Sequence, residues 1–370
     1  LEGLVLAHDS GSPTAQLKQY KLCRRCSERH GSALREKPSQ PCFICRGLME
    51  ELDSLVEKIR TAIRGYEFDT FLVGATLPTQ IYEREDALRA RLKIRGMESV
   101  KSQLTRELGM TLARQTRRKV DYLRPDITIS LAIDKENNAD VAARSRSLAF
   151  AGRYTKKASG MPQKQDRCPE CGGKGCGSCN HSGLSGYYSI EGVIAKKLMA
   201  TTKGITPRFS WIGSEDQNSQ VLGRGRPFYS RVSDPRKRNF RKIIIRGKGV
   251  RAVLSVVDEL PTTQPRFTVK TRIHVRCDRA LTKKELQLLR ELAGRQVSYH
   301  NRSKVATKRI LSANVRKIDS SNLALTVVAD GGLMIKQFVG GEEYMQPNIS
   351  EVLGCKCECV KFDILGVELQ

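Results

Sequence analysis

Gly213–Lys242 reads GSEDQNSQVLGRGRPFYSRVSDPRKRNFRK: an acidic pair, Glu215-Asp216, then Gly223-Arg224-Gly225-Arg226-Pro227-Phe228 and a basic run. The stretch holds eight Lys/Arg against three Asp/Glu. A surface that binds a polyanion gains little from a carboxylate at its centre, because that charge repels phosphate. The simplest reason to hold one there is chemistry on the bound polymer. On composition alone, the ordinary reading is a surface turn whose acids pair with nearby arginines.

The chain has 370 residues and a net charge of +26, enough length for two or three domains with ordinary cores. The charge is segregated: residues 1–150 carry +6, residues 151–317 carry +25 and residues 318–370 carry −5. Charge serving only solubility would be spread more evenly, so the middle section reads as a polyphosphate-binding face. Membrane binding is the weaker reading, since no apolar run approaches a spanning length. Leu1–Ala7 is apolar but too short, and lacks the basic leader of a secretory signal. A start at Leu1 rather than Met leaves the natural N-terminus open.

The elements first alternate as in a small α/β or α+β domain ending near Arg153, and the chain as a whole is expected to be α+β with a mixed or antiparallel sheet in its main domain. Leu52–Tyr66 has helical apolar spacing, followed by the strand FDTFLVGA; Arg95–Thr116 is a second predicted helix and Asp126–Ile133 a strand. Ser189–Ala200 is a predicted helix capped by Ser189, and Thr282–Leu292 one opened by a Thr-x-x-Glu capping box. Ile243–Ile245 and Ala252–Val257 read as strand and helix edges, and Phe267–Cys277 as a strand. Asp330-Gly331-Gly332, between Asn322–Ala329 and Leu333–Val339, predicts a hairpin. The expected organisation is a cysteine module over 1–49, an accessory domain over 50–154, a linker with a second cysteine cluster over 155–186 and a main domain over 187–370.

Eight of the twelve cysteines form Cys-x2-Cys pairs. In an intracellular basic protein such pairs point to metal rather than disulfides, and so to a reducing, cytoplasmic setting. Cys23, Cys26, Cys42 and Cys45 have the spacing of a four-thiolate zinc ribbon. Cys168, Cys171, Cys176 and Cys179 make a tighter candidate, with glycines supplying the turns so short a loop requires. Neither set leaves an open coordination position, so structural zinc is expected at both. His30 reads as a loop residue, and Cys355, Cys357 and Cys359 as packing residues of a strand.

GSEDQNSQVLGRGRPF resembles the active-site motif of the archaeal and eukaryotic tRNA pseudouridine synthase family ten, Gly-Arg-Glu-Asp-x-Asp-Val-Arg-x-Leu-Gly-x-Gly-Arg-Pro-Phe. Gly213, Glu215, Asp216, Leu222, Gly223, Gly225, Arg226, Pro227 and Phe228 match. The resemblance extends to the N-terminal cysteine pairs, an accessory domain of the RNA-binding THUMP type, the CPECGGKGCGSC cluster and the segment Gly332–Val339, which the family carries as a strand. It implies isomerisation of uridine 54, uridine 55 or both in the TΨC arm of tRNA, by a monomer needing no organic cofactor. Asp216 is the implied catalytic carboxylate, as nucleophile or base, and Lys336 the cation that keeps it ionised. Arg224, Arg226, Arg236, Lys237, Arg238, Lys304, Lys308 and Arg309 are the expected RNA contacts.

The chain departs from the family at several positions. Ser214 replaces the motif arginine and Asn218 the second aspartate. The family tyrosine that stacks on the target base falls near Lys270-Thr271-Arg272, where there is none; Tyr229, Tyr299 and Tyr344 are candidate substitutes. Retained Asp216 and Lys336 favour an enzyme. The missing tyrosine and arginine favour a tRNA-binding or folding protein on the same scaffold. A cysteine-rich co-chaperone is disfavoured, because the Cys168–Gly175 motif is not repeated.

Overall fold

The structure, a computed structural model, describes residues 16–32, 40–301, 304–341 and 345–370, and at 300, 301 and 304 the backbone alone. Leu1–Ala7, Tyr344 and the Lys304 side chain therefore lie outside the described residues. The chain divides into two compact units, Leu1–Arg146 and Ser147–Gln370.

In the first unit, α1 (Arg24–Arg29) and α2 (Leu52–Ala62) precede β1 (Thr70–Thr76), α3 (Thr79–Leu92) and α4 (Val100–Thr116). β2 (Lys119–Val120), β3 (Ile127–Ile133) and β4 (Ala139–Ser145) complete a sheet of order β2-β1-β3-β4. β1 runs parallel to β2 and β3, and β4 closes antiparallel to β3. Alternation drives the pairing: Phe71 and Val73 of β1, and Ile127, Ile129 and Leu131 of β3, are buried. α4 buries Leu104, Leu108 and Leu112, spaced at one helical turn. It starts at Val100 rather than Arg95 because Ser99 caps it, accepting from the Ser102 N–H. Buried Glu85 accepts from the Val100 N–H at 3.0 Å and pairs with buried Arg29 at 2.8 Å. His30, expected as a loop residue, is buried against this pair, 3.9 Å from Glu85.

Among the described residues, the second unit is built on an eleven-stranded sheet. Its elements are β5 (Leu148–Lys156), α5 (Ile190–Thr202), β6 (Ile205–Trp211), β7 (Val221–Ser233), β8 (Ile243–Gly247), β9 (Val250–Val257), β10 (Phe267–Cys277) and α6 (Lys283–Arg290). β11 (Gln296–Asn301), β12 (Lys304–Lys317), β13 (Asn322–Asp330), α7 (Ile335–Gly340), β14 (Met345–Gln346), α8 (Ile349–Leu353) and β15 (Cys357–Leu369) follow. The strand order is β14-β11-β12-β13-β10-β15-β7-β5-β9-β8, with β6 beside β7. Two cores cover the two halves. One gathers Ile273, Leu289, Leu325 and Phe338; the other gathers Phe150, Ile194, Phe228 and Leu254.

The halves meet where β7 and β15 run parallel, with a single registered pair, Ile364 and Val221. Gly223 makes that approach possible: its φ is positive, and a Cβ there would collide with the Leu365 carbonyl oxygen. Gly225, also at positive φ, lets β7 pass close to the Tyr154 carbonyl of β5. Where ladder bonds are sparse, Arg153 donates to the Gly225 and Val367 carbonyls at 3.0 and 2.8 Å.

Three expectations need correction. β5, expected to close the accessory domain near Tyr154, lies between β7 and β9 in the second sheet, so the units divide at Arg146. Ala252–Val257 belongs to a strand, because Val250, Ala252 and Leu254 alternate inward and pair with β8. Leu333–Val339 is not the second arm of a hairpin. The chain turns at Gly331-Gly332 and forms α7, which buries the adjacent Phe338 and Val339 and ends at Gly341 with φ of 77°. A strand would send those two neighbours to opposite faces.

Candidate active site and metal centres

Asp216 stands on the loop between β6 and β7. Its Oδ1 accepts from the Asn218 N–H at 2.9 Å, and its Oδ2 accepts from Lys336 Nζ at 2.6 Å. Lys336 reaches it from the first turn of α7, across 120 residues of sequence. Lys336, helped by the Asn218 N–H, holds the Asp216 carboxyl below its usual range; Asp216 in turn raises Lys336. The aspartate is ionised and only partly covered, open to a substrate.

The loop beneath it is fixed from inside. Glu215 is fully buried; its Oε2 accepts from Tyr154 Oη at 2.8 Å and from Arg226 Nε at 3.0 Å. Arg226 also donates to the Ile212 and Ser214 carbonyls. Buried Lys156 donates to the carbonyls of Met161, Asp216 and Gln217 and lies 3.5 Å from Glu215 Oε1. The two acids thus divide the work: Glu215 anchors cations inside the loop and leaves Asp216 facing outward. Arg226, expected on the RNA surface, is buried instead, because its guanidinium is the partner Glu215 requires.

Asp216 and Lys336 border a cavity of about 420 Å³ whose walls include Phe267, Val269, Thr271, Leu333, Met334, Phe362 and Ile364. Thr271, near the expected tyrosine position, is buried in this wall, whereas its neighbour Arg272 is exposed on the other face. Among the described residues no tyrosine lines the cavity. Tyr299 is buried and donates to the Gly332 carbonyl at 2.8 Å, while Tyr229 lines a separate cleft. The cavity's aromatics are Phe267 and Phe362, which sequence reading missed. Phe267, Val269 and Thr271 sit two apart on β10, so strand periodicity alone could have placed Phe267 on the same face. Phe362 is brought in by β15 pairing with β10, a long-range fact no local pattern carries.

The expected RNA-contacting cations separate by position. Lys308 lines an adjoining cavity with Gly213, Phe267 and Asp330, and Arg309 is exposed beside it. Arg236 and Lys237 are exposed and Arg238 half-buried on the loop between β7 and β8. Arg224 is exposed, 3.7 Å from Glu368.

Two cysteine sets converge as their spacing predicts. The Sγ atoms of Cys23, Cys26, Cys42 and Cys45 lie within 4.8 Å of one another, all buried, with Cys23 and Cys45 3.7 Å apart. Those of Cys168, Cys171, Cys176 and Cys179 converge likewise, with contacts of 3.7 to 3.9 Å. Zinc–sulfur bonds of ~2.3 Å in a tetrahedron place sulfurs ~3.8 Å apart, so both sets fit a four-thiolate metal site. In the second set, Gly175 donates to Cys171 Sγ, and Cys176 and Gly183 to Cys179 Sγ. The N–H bond from Cys176, with that from Gly183, brings the Cys179 thiol down to about 6, favouring the thiolate a metal needs.

The comparisons with known proteins converge on one family. The family model "Pus10, C-terminal" matches residues 150–368, and "Pus10 THUMP domain, archaeal" matches residues 55–132. The chain belongs to the Pus10 family. A relative named tRNA pseudouridine synthase Pus10, from Nitrosopumilus maritimus, is 32% identical over 371 residues, spanning 96% of each chain. Pus10 of Cenarchaeum symbiosum is 32% identical over 91% of this chain and 83% of its own. That of Methanocaldococcus jannaschii is 30% identical over 90% of this chain and 76% of its own. A solved Cbf5-Nop10-Gar1 complex aligns at 8% identity and TM-score 0.31 over 58% of this chain and 48% of that one, too slight a likeness to define the fold. Among the described residues, no helix of this Pus10-family chain is long and apolar enough to cross a membrane.

Proposed function

We propose that the chain is a tRNA pseudouridine synthase that isomerises uridine 54, uridine 55 or both in the TΨC arm, with Asp216 as its catalytic carboxylate. The observation that carries this reading is the ionised Asp216, paired with Lys336 at 2.6 Å beside an aromatic-walled cavity. Isomerisation breaks the bond from uracil N1 to ribose C1′ and forms one from C5 to C1′. C5 loses a proton and N1 gains one, so no electrons are exchanged with a cofactor. A carboxylate serves this chemistry by attacking C1′ or by removing the C2′ proton; both require it to be ionised. The target base must leave its stack, and Phe267 and Phe362 offer faces to receive it in place of the family tyrosine.

Lys308, Arg309 and the Arg236–Arg238 loop supply phosphate contacts in this reading, as does the exposed Arg224. The THUMP-type unit is a further RNA-binding element. Cys23, Cys26, Cys42 and Cys45 would hold one structural zinc, and Cys168, Cys171, Cys176 and Cys179 a second, each stabilising its own turn region. A reducing, cytoplasmic setting keeps those thiols available.

The test is pseudouridine mapping by carbodiimide primer extension on an unmodified tRNA transcript. Wild-type protein should modify the TΨC arm. Asp216→Asn should abolish product while tRNA affinity is kept or slightly increased, and Phe362→Leu should slow turnover by about fivefold, the lower end of an aromatic–base stack. Tight binding without product in wild type would overturn the enzyme reading. It would leave the tRNA-binding protein that Thr271, in place of a tyrosine, favours.

A further inference from the structure

Beyond the two four-cysteine sets, a third group of thiols converges in the second unit. Cys277 ends β10, Cys357 begins β15 and Cys355 lies on the turn after α8. Their Sγ atoms all lie within 4.8 Å of one another. We propose that Cys277, Cys355 and Cys357 hold a third metal ion, a thiophilic divalent cation of the zinc class, with a water or small anion as fourth ligand.

The backbone brings the three sulfurs together from separate elements. Cys277 and Cys357 are directly paired across antiparallel strands, in a register fixed by the Asp278 N–H donating to the Lys356 carbonyl at 3.1 Å. Their sulfurs are 3.3 Å apart, closer than the ~3.8 Å of a tetrahedral zinc–thiolate site, so a bound ion would spread this pair by about half an ångström. Cys355 need not face them, but Gly354, with φ of 58°, ends α8 and turns the chain back, and the Cys355 N–H bonds the Ser350 carbonyl. This turn sets the Cys355 sulfur 3.8 Å from that of Cys357. That spacing matches the contacts of 3.7 to 3.9 Å inside the two four-cysteine sets. Apolar packing alone gives no reason for a third sulfur to converge on a cross-strand pair. A shared cation does.

The site's shape selects the ligand class. Three soft sulfur donors favour zinc and exclude magnesium or calcium, which take oxygen. Cys277 and Cys357 are buried while Cys355 is partly exposed, which leaves one side for the fourth donor. Binding would release the three thiol protons to solvent and transfer no electrons. The bound ion would join β10 and β15, the strands that further along carry Thr271 and Phe362 into the cavity. The proposal does not depend on the catalytic reading, because its tests measure metal and thiols rather than product.

The full-length chain, expressed with zinc and purified under reducing conditions, is analysed for metal by mass spectrometry. Cys355→Ser and Cys357→Ser should each lower the metal content by about one ion per chain. Cys359→Ser, two residues along the same strand and outside the group, should leave it unchanged. Metal content equal in wild type and both site variants overturns the proposal. To guard against misfolded variants, wild-type protein is alkylated with and without a chelator. Cys355 should resist the reagent until the metal is removed; equal labelling in both conditions overturns the site. So does a Cys277–Cys357 disulfide found in the zinc-supplemented protein.

Discussion

Two adjacent acids, Glu215 and Asp216, have opposite fates. Glu215 is sealed among Tyr154, Lys156 and Arg226, while Asp216 faces the cavity with Lys336 as its ion-pair partner, the Asn218 N–H and the charge of Lys156 adding to it. Lys336, the largest of these influences, dominates the pH dependence of the proposed activity. Lys336 lowers the Asp216 pKa, so the active, ionised form persists as pH falls until that depressed value is reached. Lys336→Met removes the principal cause of the shift. The pKa of Asp216 should rise, and the acid limb of the pH–rate profile should move to higher pH, with the largest losses on the acidic side. A profile of unchanged shape would mean that Lys336 does not set the ionisation of Asp216. At this scale, the residues that motif and spacing single out are the ones the fold brings together: Asp216 lies 2.6 Å from Lys336, and the eight thiols converge in two sets of four. Arg226 was misread because a motif shows charge but not burial, and only the fold reveals that its partner is Glu215.

The helix carrying Lys336 was the least legible element. Asp330-Gly331-Gly332 is a good hairpin signal, and Leu333–Val339 has enough apolar residues for a strand. What overrides them lies after the segment: Gly340-Gly341 supplies a left-handed end, and Ser350 Oγ donates to the Val339 carbonyl at 2.9 Å. A Cβ on Gly341 would lie 2.8 Å from that of Ser350, and the residue has a φ of 77°. Gly341→Ala should therefore cost about 1–2 kcal/mol in thermal or denaturant unfolding, from the left-handed conformation alone. It should also reduce turnover by shifting Lys336. Wild-type stability and turnover in this variant would show that the end of α7 does not position its lysine. By contrast, α6 forms with the capping box that Thr282 and Glu285 announce, because both halves of that signal lie within one turn of the chain.

Across the molecule, charge is segregated: residues 151–317 carry +25 and the tail −5. If the loop between β7 and β8 contributes three phosphate contacts, replacing Arg236, Lys237 and Arg238 with alanine should lower the salt slope of tRNA binding by about 2–3 units. Filter binding across a salt series measures it, and a wild-type slope would remove this loop from the RNA surface. Sequence reading recovered the α+β class and the elements with strong local periodicity. It missed the place of β5 and the joining of β7 to β15, because strand order is set by pairing between distant segments. That junction has a mechanical consequence. The sheet is continuous in outline, but at one line it is held by a single registered pair, by bonds from the Ile364 N–H to the Gln220 carbonyl and from the Gln220 N–H to Asp363, and by the side chain of Arg153. A plate thinned along one line flexes there, and here the line passes beside Asp216 on one bank and Phe362 on the other. Bending would alter the gap between carboxylate and aromatic wall without disturbing either core. Amides from Val221 to Arg224 should exchange with deuterium faster than those of β5, and Arg153→Ala should speed them further. Uniform protection from β5 to β15 would mean that the plate is rigid throughout.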